Sequence, residues 1–250
     1  MYQFFVEPSA IVGKEIRITG SDVNHIKNVL RMKPGEEIAI KCTNEKKEYR
    51  CGIEEITEEE VRCSLYFIKE DDVELPSKIY LFQGLPKADK MEMIIQKAVE
   101  LGVYEIIPVA TKRAVVKLEG KKADQKVARW QAISEAAAKQ SKRALVPGIH
   151  QVLNFKEALE YARERKIRMI PYEMAEGMET TRKLLEELTP GEEIAIFIGP
   201  EGGFDEKEIL LAKEKQVIPI TLGKRILRTE TAGLTVLAWI MYQLEGKNII

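Results

Sequence analysis

Three cysteines, two histidines and two tryptophans in 250 residues leave little material for several kinds of chemistry. Cys42, Cys51 and Cys63 are odd in number, widely spaced and unaccompanied by a histidine cluster, so neither a disulfide framework nor a zinc site follows from them. Long apolar runs are also missing. The longest, Leu234 to Leu244, falls far short of the roughly 20 residues that cross a bilayer and reads as a buried helix. The opening MYQFFVEPSA has no basic region ahead of an apolar stretch, so no signal peptide is expected and a reduced cytoplasm is the expected location. Internal repeats and low-complexity tracts are absent. A chain of this length buries roughly 70 to 75% of the surface its unfolded form exposes, enough for a core without disulfides or metals.

Neither sign of charge dominates, with 39 Lys+Arg against 40 Asp+Glu. The balance conceals a segregation along the chain. Lys112, Arg113, Lys117, Lys121, Lys122, Lys126, Arg129, Lys139, Lys142 and Arg143 face only Glu119, Asp124 and Glu135, a net of +7 within one segment. Residues 1–72 carry a net of −4. A basic run is commonly a solvated helix face; left uncompensated, it is expected to track phosphates.

The first seventy residues alternate short strand-like runs with turns: QFFVE, EIRIT, EIAIKC, YRCGIEEIT and VRCSLYFI. They predict a small β-barrel or curled sheet. One helix over 21–30 interrupts it, with Ser21 or Asp22 available as cap and apolar residues at 23, 26, 29 and 30. Glu70-Asp71-Asp72 and the following Glu74-Leu75-Pro76-Ser77 read as a linker. Beyond it, strands at 78–84, 104–110, 167–173, 192–199 and 217–223 alternate with helices, which implies an α/β domain with a mostly parallel sheet covered on both faces. Asp89 with Glu92, and Asn154 with Glu157, are spaced as capping boxes.

Open parallel sheets bind ligands beyond the carboxyl ends of their strands, which directs attention to the loops after 173, 199 and 223. Gly199-Pro200-Glu201-Gly202-Gly203-Phe204 follows an apolar strand and precedes a helix start, yet it is neither a Walker A loop nor a G-x-G-x-x-G fingerprint. With Glu201 in the loop and acids at the helix start, it suits a neutral or cationic ligand better than a phosphate. A plain tight turn is the bland alternative. The loop Leu222-Gly-Lys-Arg-Ile-Leu-Arg-Thr-Glu-Thr-Ala232 holds Ile226 and Leu227 between arginines, an alternation suited to a pocket wall that meets a flat ring. Thr229 or Thr231 is expected to cap the last helix. Glu230 has an ion-pair role with Arg225 or Arg228 as its bland alternative.

GPEGGF and LGKRILRTETA, about twenty residues apart, closely resemble motifs of the RsmE family, the ribosomal small-subunit RNA methyltransferases that methylate N3 of a uridine with S-adenosylmethionine. His25-Ile-Lys-Asn-Val-Leu-Arg31, Lys97-Ala-Val-Glu-Leu-Gly102, and Arg129-Trp130 with Gln140-Ser141 and Arg143 resemble further elements of that family. Lys139 and Lys142 depart from it, standing where the family has an acidic residue and a glycine. The resemblance implies a PUA-like β-barrel over 1–72, RNA-binding, followed over 73–250 by a SPOUT-type α/β trefoil-knot methyltransferase domain. It implies a cofactor site at Tyr172, Glu173, Ile198, Gly199, Pro200, Glu201, Gly202, Gly203, Leu222, Gly223, Ile226, Leu227, Arg228, Thr231 and Ala232. RNA contacts are expected at His25, Arg31, Lys112, Arg113, Arg129, Lys139, Gln140, Ser141, Lys142 and Arg143. His25, a lone histidine on a small helix, equally suits a packed or solvated residue. Uridine N3 must lose a proton to attack; Arg228 is the candidate for the cation that faces the uracil oxygens and Glu230 for the base. Small-subunit ribosomal RNA is the expected partner, a homodimer the expected assembly, and no membrane is involved. Two alternatives remain open: the same fold acting on another RNA acceptor such as a ribose 2′-hydroxyl, and a non-enzymatic RNA-binding protein of ribosome assembly.

Overall fold

The computed structural model describes residues 1–42, 47–70, 73–175 and 177–246. The chain divides into two compact units, Met1–Glu74 with Ala138–Val146, and Leu75–Ala137 with Pro147–Ile250. The division expected at 72/73 did not include the return of 138–146 to the first unit. Of the expected linker, Asp71 and Asp72 lie outside the described residues.

In the first unit, β1 (Gln3–Val6), β2 (Ile11–Val12), β3 (Glu15–Thr19), β4 (Glu37–Cys42), β5 (Lys47–Ile56) and β6 (Glu60–Glu70) form one sheet in the order β1-β4-β5-β6-β3-β2. Only β1 and β4 run parallel. The sheet curls until β1 approaches β3. The period-two pattern sends Ile16, Ile18, Ile38, Ile40, Ile53 and Val61 into one core, together with all three cysteines. Burial pushes the Cys51 and Cys63 thiols up to about 12, which keeps them protonated and poor nucleophiles.

The helix expected over 21–30 is a single turn, α1 (Ser21–Asn24), running into a wider π-helical turn over His25–Val29 that buries Ile26. Its N-cap is Gly20, and neither Ser21 nor Asp22 caps it. Asp22 is engaged elsewhere, accepting from the Lys139 ammonium at 2.7 and 2.9 Å.

Residues 138–146 are tied into this unit through Glu74. Its carboxylate accepts from the Ala144 and Leu145 amides at 2.8 and 3.2 Å and pairs with the Arg143 guanidinium. Both side chains are more than nine-tenths buried. Arg143, expected to contact RNA, is buried in the first unit and paired with Glu74. Lys142, before it, has φ +59°, the left-handed conformation a glycine adopts most easily.

The second unit contains β7 (Lys78–Gly84), α2 (Lys90–Glu100), β8 (Glu105–Ala110), α3 (Gly120–Gln140), β9 (Gly148–Ile149), β10 (Leu153–Asn154), α4 (Phe155–Tyr161), β11 (Ile167–Pro171), α5 (Met178–Glu186), β12 (Glu193–Ile198), α6 (Glu206–Glu214), β13 (Ile218–Ile220) and α7 (Thr229–Glu245). The last three residues of α3 belong to the first unit. The sheet is parallel throughout, in the order β10-β8-β7-β12-β11-β13, with β9 also on β8. The five expected strands are joined by two short ones, β9 and β10. Covering on both faces explains why β7 and β12 read as continuous apolar runs; Phe82 and Phe197 stack between them with ring centroids 4.4 Å apart. Asn154 and Glu157 form the expected capping box. Asp89 and Glu92 do not: Asp89 makes no side-chain cap, and Glu92 turns to Arg129, 2.8 Å away.

The +7 segment is largely neutralised in the folded chain. Lys112 and Arg113 meet Asp205 at 3.0 and 3.9 Å, Arg129 meets Glu92, Lys139 meets Asp22 and Arg143 meets Glu74. Acids distant in sequence supply the compensation that the segment itself lacks. Among the described residues, Lys117, Lys121, Lys122, Lys126 and Lys142 form no such pair.

Two stability changes follow. Glu74→Ala leaves the Arg143 charge buried and two amides unsatisfied, so chemical denaturation of the first unit should show a loss of about 3–5 kcal/mol. Lys142→Gly should stabilise by about 1 kcal/mol by relieving the left-handed backbone, and a lower denaturation midpoint would contradict this.

Candidate active site

In the second unit, β12, β11 and β13 are adjacent and parallel, so the loops leaving them open at one end of the sheet. Together these loops enclose a cavity of about 520 Å³. Every residue assigned from sequence to the cofactor site lines it except Thr231. The lining also includes Lys90, Arg113, Pro171, Phe204, Thr221, Lys224, Arg225 and Thr229.

The glycine loop is shaped largely by its own packing. Gly203 has φ +65° and its amide donates to the Pro200 carbonyl at 2.9 Å, closing the turn. The loop's neighbours hold it from both sides. Arg113 Nη1 donates to the Gly202 carbonyl at 3.1 Å, and the Lys87 amide donates to Glu201 at 3.1 Å. Burial disfavours the charged form of Glu201, but hydrogen bonds from the Glu201 and Lys87 amides and from Lys90 outweigh it and hold the carboxyl below its ordinary range. Asp205, held low chiefly by Lys112, caps α6 in a capping box with Glu208.

Thr229 has a different role from the expected cap. The N-cap of α7 is Arg228, without a side-chain bond, and Thr229 is the first helical residue. Its buried hydroxyl donates to the Gly199 carbonyl at 2.6 Å and accepts from Gln83 Nε2 at 2.9 Å, while Gln83 also donates to the Gly84 carbonyl. Three chain segments, the end of β7, the glycine loop and the start of α7, are thus joined by one buried hydroxyl. Thr231 is exposed on the helix, outside the lining.

The two catalytic candidates part company. Arg228 lines the cavity, is exposed, and among the described residues has no carboxylate partner. Glu230 does not line it. Its partner is neither Arg225 nor Arg228 but Lys90, whose ammonium lies 3.3 Å from Glu230 Oε2 and 3.0 Å from Glu201 Oε1. Lys90 and Gln83 escaped sequence reasoning because they sit at and just past the end of β7. Only the pairing of β7 with β12 brings that end to the cavity. A lysine at the first position of a helix, where the dipole disfavours a cation, was the available signal.

The apolar part of the lining suits a flat ring. Ile226, 86% exposed, and the half-buried Leu227 supply apolar surface, and the loops supply backbone groups. Glu173 and Glu201 stand against Lys90, Arg113, Lys224, Arg225 and Arg228, an excess of positive charge suited to an anionic partner.

Of the residues assigned to RNA, His25 and Arg31 are exposed in the first unit, His25 with its ring edge toward Phe4 at 6.4 Å. Gln140 and Lys142 are exposed and Ser141 half-buried. Arg113 belongs to the cavity wall.

Comparison with known proteins agrees with this architecture. Residues 73–241 match the family model of an RNA methyltransferase domain, and residues 18–66 that of an RNA methyltransferase PUA domain. Ribosomal RNA small subunit methyltransferase E of Bacillus subtilis is 38% identical over 98% of each chain. The protein of that name from Aquifex aeolicus is 28% identical over 96% of this chain and 99% of its own. Among solved structures, ribosomal RNA small subunit methyltransferase E of Neisseria gonorrhoeae, bound to S-adenosyl methionine, superposes with a TM-score of 0.83 at 32% identity over 95% of both chains. The fold is accordingly the SPOUT-type trefoil-knot methyltransferase with a PUA-like barrel ahead of it. With its matched domains in that order and its motifs on one cavity, the chain belongs to the ribosomal RNA small subunit methyltransferase E family.

Proposed function

We propose that this protein transfers a methyl group from S-adenosylmethionine to N3 of a specific uridine in small-subunit (16S) ribosomal RNA. The observation that carries the reading is the cavity of about 520 Å³, where three loops gather backbone groups, the apolar Ile226 and Leu227, and cations at the end of a parallel sheet. Bound there, S-adenosylmethionine supplies a methyl group activated by its sulfonium. The chain's own residues do the rest. Loops 171–173, 198–204 and 221–228 would hold the cofactor, and the Glu201 carboxyl on that wall is kept below its ordinary range by hydrogen bonds that include one from Lys90. Pre-positioning of the reactants replaces an encounter in solution.

Uracil N3 is a nucleophile only after its proton has gone, and the charge left behind spreads over the two ring oxygens. Arg228, which lines the cavity and among the described residues has no carboxylate partner, is the proposed cation for that charge. Glu230 stands behind Lys90 and supports the wall rather than taking the proton directly. The three thiols are all in the first unit and buried, so addition to the pyrimidine ring by a thiolate of this chain has no support.

RNA is read by each unit separately: exposed His25, Arg31, Gln140 and Lys142 in the first, and Lys117, Lys121, Lys122 and Lys126 in the second. A homodimer is supported by α7, an apolar helix that still leaves Tyr242 79% exposed. No helix among the described residues is long and apolar enough to cross a membrane, and the cytoplasm, where ribosomal RNA is modified, is the proposed location.

Two measurements test the reading. Nucleoside mass spectrometry of small-subunit RNA incubated with protein and S-adenosylmethionine should show N3-methyluridine, and Arg228→Ala should lower the turnover about 10²-fold while calorimetric affinity for the cofactor changes less than tenfold. A product methylated on ribose would replace this acceptor by the 2′-hydroxyl. Second, affinity for an RNA fragment should fall steeply with salt, and replacing Lys121, Lys122 and Lys126 by glutamine should reduce the slope of log K against log salt by about two to three. An unchanged slope would return these lysines to ordinary surface.

A further inference from the structure

Lys90 has no role in any motif of the sequence, yet it is built into the cavity wall. It opens α2, where the helix dipole disfavours a cation, and it is held there by two carboxylates from different parts of the unit, Glu201 of the glycine loop and Glu230 of α7, at 3.0 and 3.3 Å. Lys90 lines the cavity, whereas Glu230 does not. Glu230 Oε2 is buried and receives no well-aligned hydrogen bond, so Lys90 is the cation that compensates it. Hydrogen bonding to Glu201 is the largest cause that raises the Lys90 pKa above its ordinary value; partial desolvation opposes it and Glu230 adds to it. Such a lysine is a permanent cation at neutral pH and is not a base.

Building on the uridine-N3 reading above, we propose that Lys90 is a second catalytic cation: its ammonium meets one carbonyl oxygen of the target uracil while Arg228 meets the other. Uracil N3 lies between two carbonyls, so its conjugate base carries negative charge on both sides of the attacking nitrogen. One cation from α2 and one from the N-terminus of α7 match that symmetry. The proton on N3 passes to solvent water. The nitrogen electron pair then forms the N–CH₃ bond as the C–S bond breaks, and the sulfonium leaves as a neutral thioether. Glu201 and Glu230 keep the ammonium charged and fix its direction. The remaining charged groups on the cavity, Glu173, Arg113, Lys224 and Arg225, belong to other walls and are not paired with Lys90.

Lys90→Met and Lys90→Arg separate this role from a structural latch. With full-length protein and small-subunit RNA, Lys90→Met should lower kcat about 10²-fold at pH 7. The deficit should shrink severalfold by pH 9, because uracil then ionises without help, and Lys90→Arg, which keeps the charge, should recover most of the rate. Calorimetric affinity for S-adenosylmethionine should stay close to wild type in both; the melting temperature should fall in Lys90→Met, which leaves Glu230 without its cation, and stay close to wild type in Lys90→Arg. A deficit equal at every pH, or a loss of cofactor affinity that accounts for the lost rate, would overturn the proposal and make Lys90 a clamp on the glycine loop. If wild-type protein forms N3-methyluridine and Lys90→Met matches it, only the Lys90 role falls; if wild type forms none, the acceptor reading falls and the Lys90 role with it.

Discussion

One buried hydroxyl organises the site. A polar group taken out of water must find partners inside the protein, and Thr229 has two: it donates to the Gly199 carbonyl and accepts from Gln83, which is fully buried. Because each partner lies on a different stretch of chain, satisfying the hydroxyl fixes the glycine loop, the end of β7 and the start of α7 relative to one another. Exposed Arg228 and largely buried Glu230, on either side of Thr229, are positioned with it. Arg228 lines the cavity and Glu230 faces Lys90, with the residue between them held by two buried hydrogen bonds.

Charge shows the same principle of compensation at a distance. The basic segment 112–143 has few acids of its own, yet in the folded chain half of its cations are held by Asp22, Glu74, Glu92 and Asp205. Glu74 does this work while buried, where the pair is tolerable only because its carboxylate also takes two backbone amides. Positive charge left for a polyanion is therefore concentrated on the early turns of α3 and in Lys142, not spread over the whole segment.

What was legible in the sequence divides along this line between local and distant causes. Period-two alternation placed the strands of the first unit, and unbroken apolar runs such as Ile79–Phe82 revealed the buried parallel strands, because both signals are set by neighbours in sequence. Asn154–Glu157 was readable as a capping box for the same reason. Asp89–Glu92 was not, since Arg129 competes for Glu92 and nothing near residue 92 announces it. The cavity loops were legible from their unusual composition at strand ends. Lys90 and Gln83 were not, because they reach the site only through the pairing of β7 with β12, a contact between residues more than a hundred positions apart. The knot is likewise a property of threading, which periodicity does not record.

Removal of Glu230 from the cavity wall changes the kind of catalysis the site can perform. A carboxylate base must reach the proton it takes, and a carboxylate already committed to an ammonium is both misplaced and weakened as a base. Uracil N3 is acidic enough that a dedicated base is less valuable than stabilising the anion, because lowering the pKa of the bound ring raises the reactive fraction directly. A wall in which cations outnumber carboxylates five to two would favour that anion. The same excess attracts the phosphates on either side of the target nucleotide, so the arrangement that ionises the base also favours its delivery on a polyanionic chain.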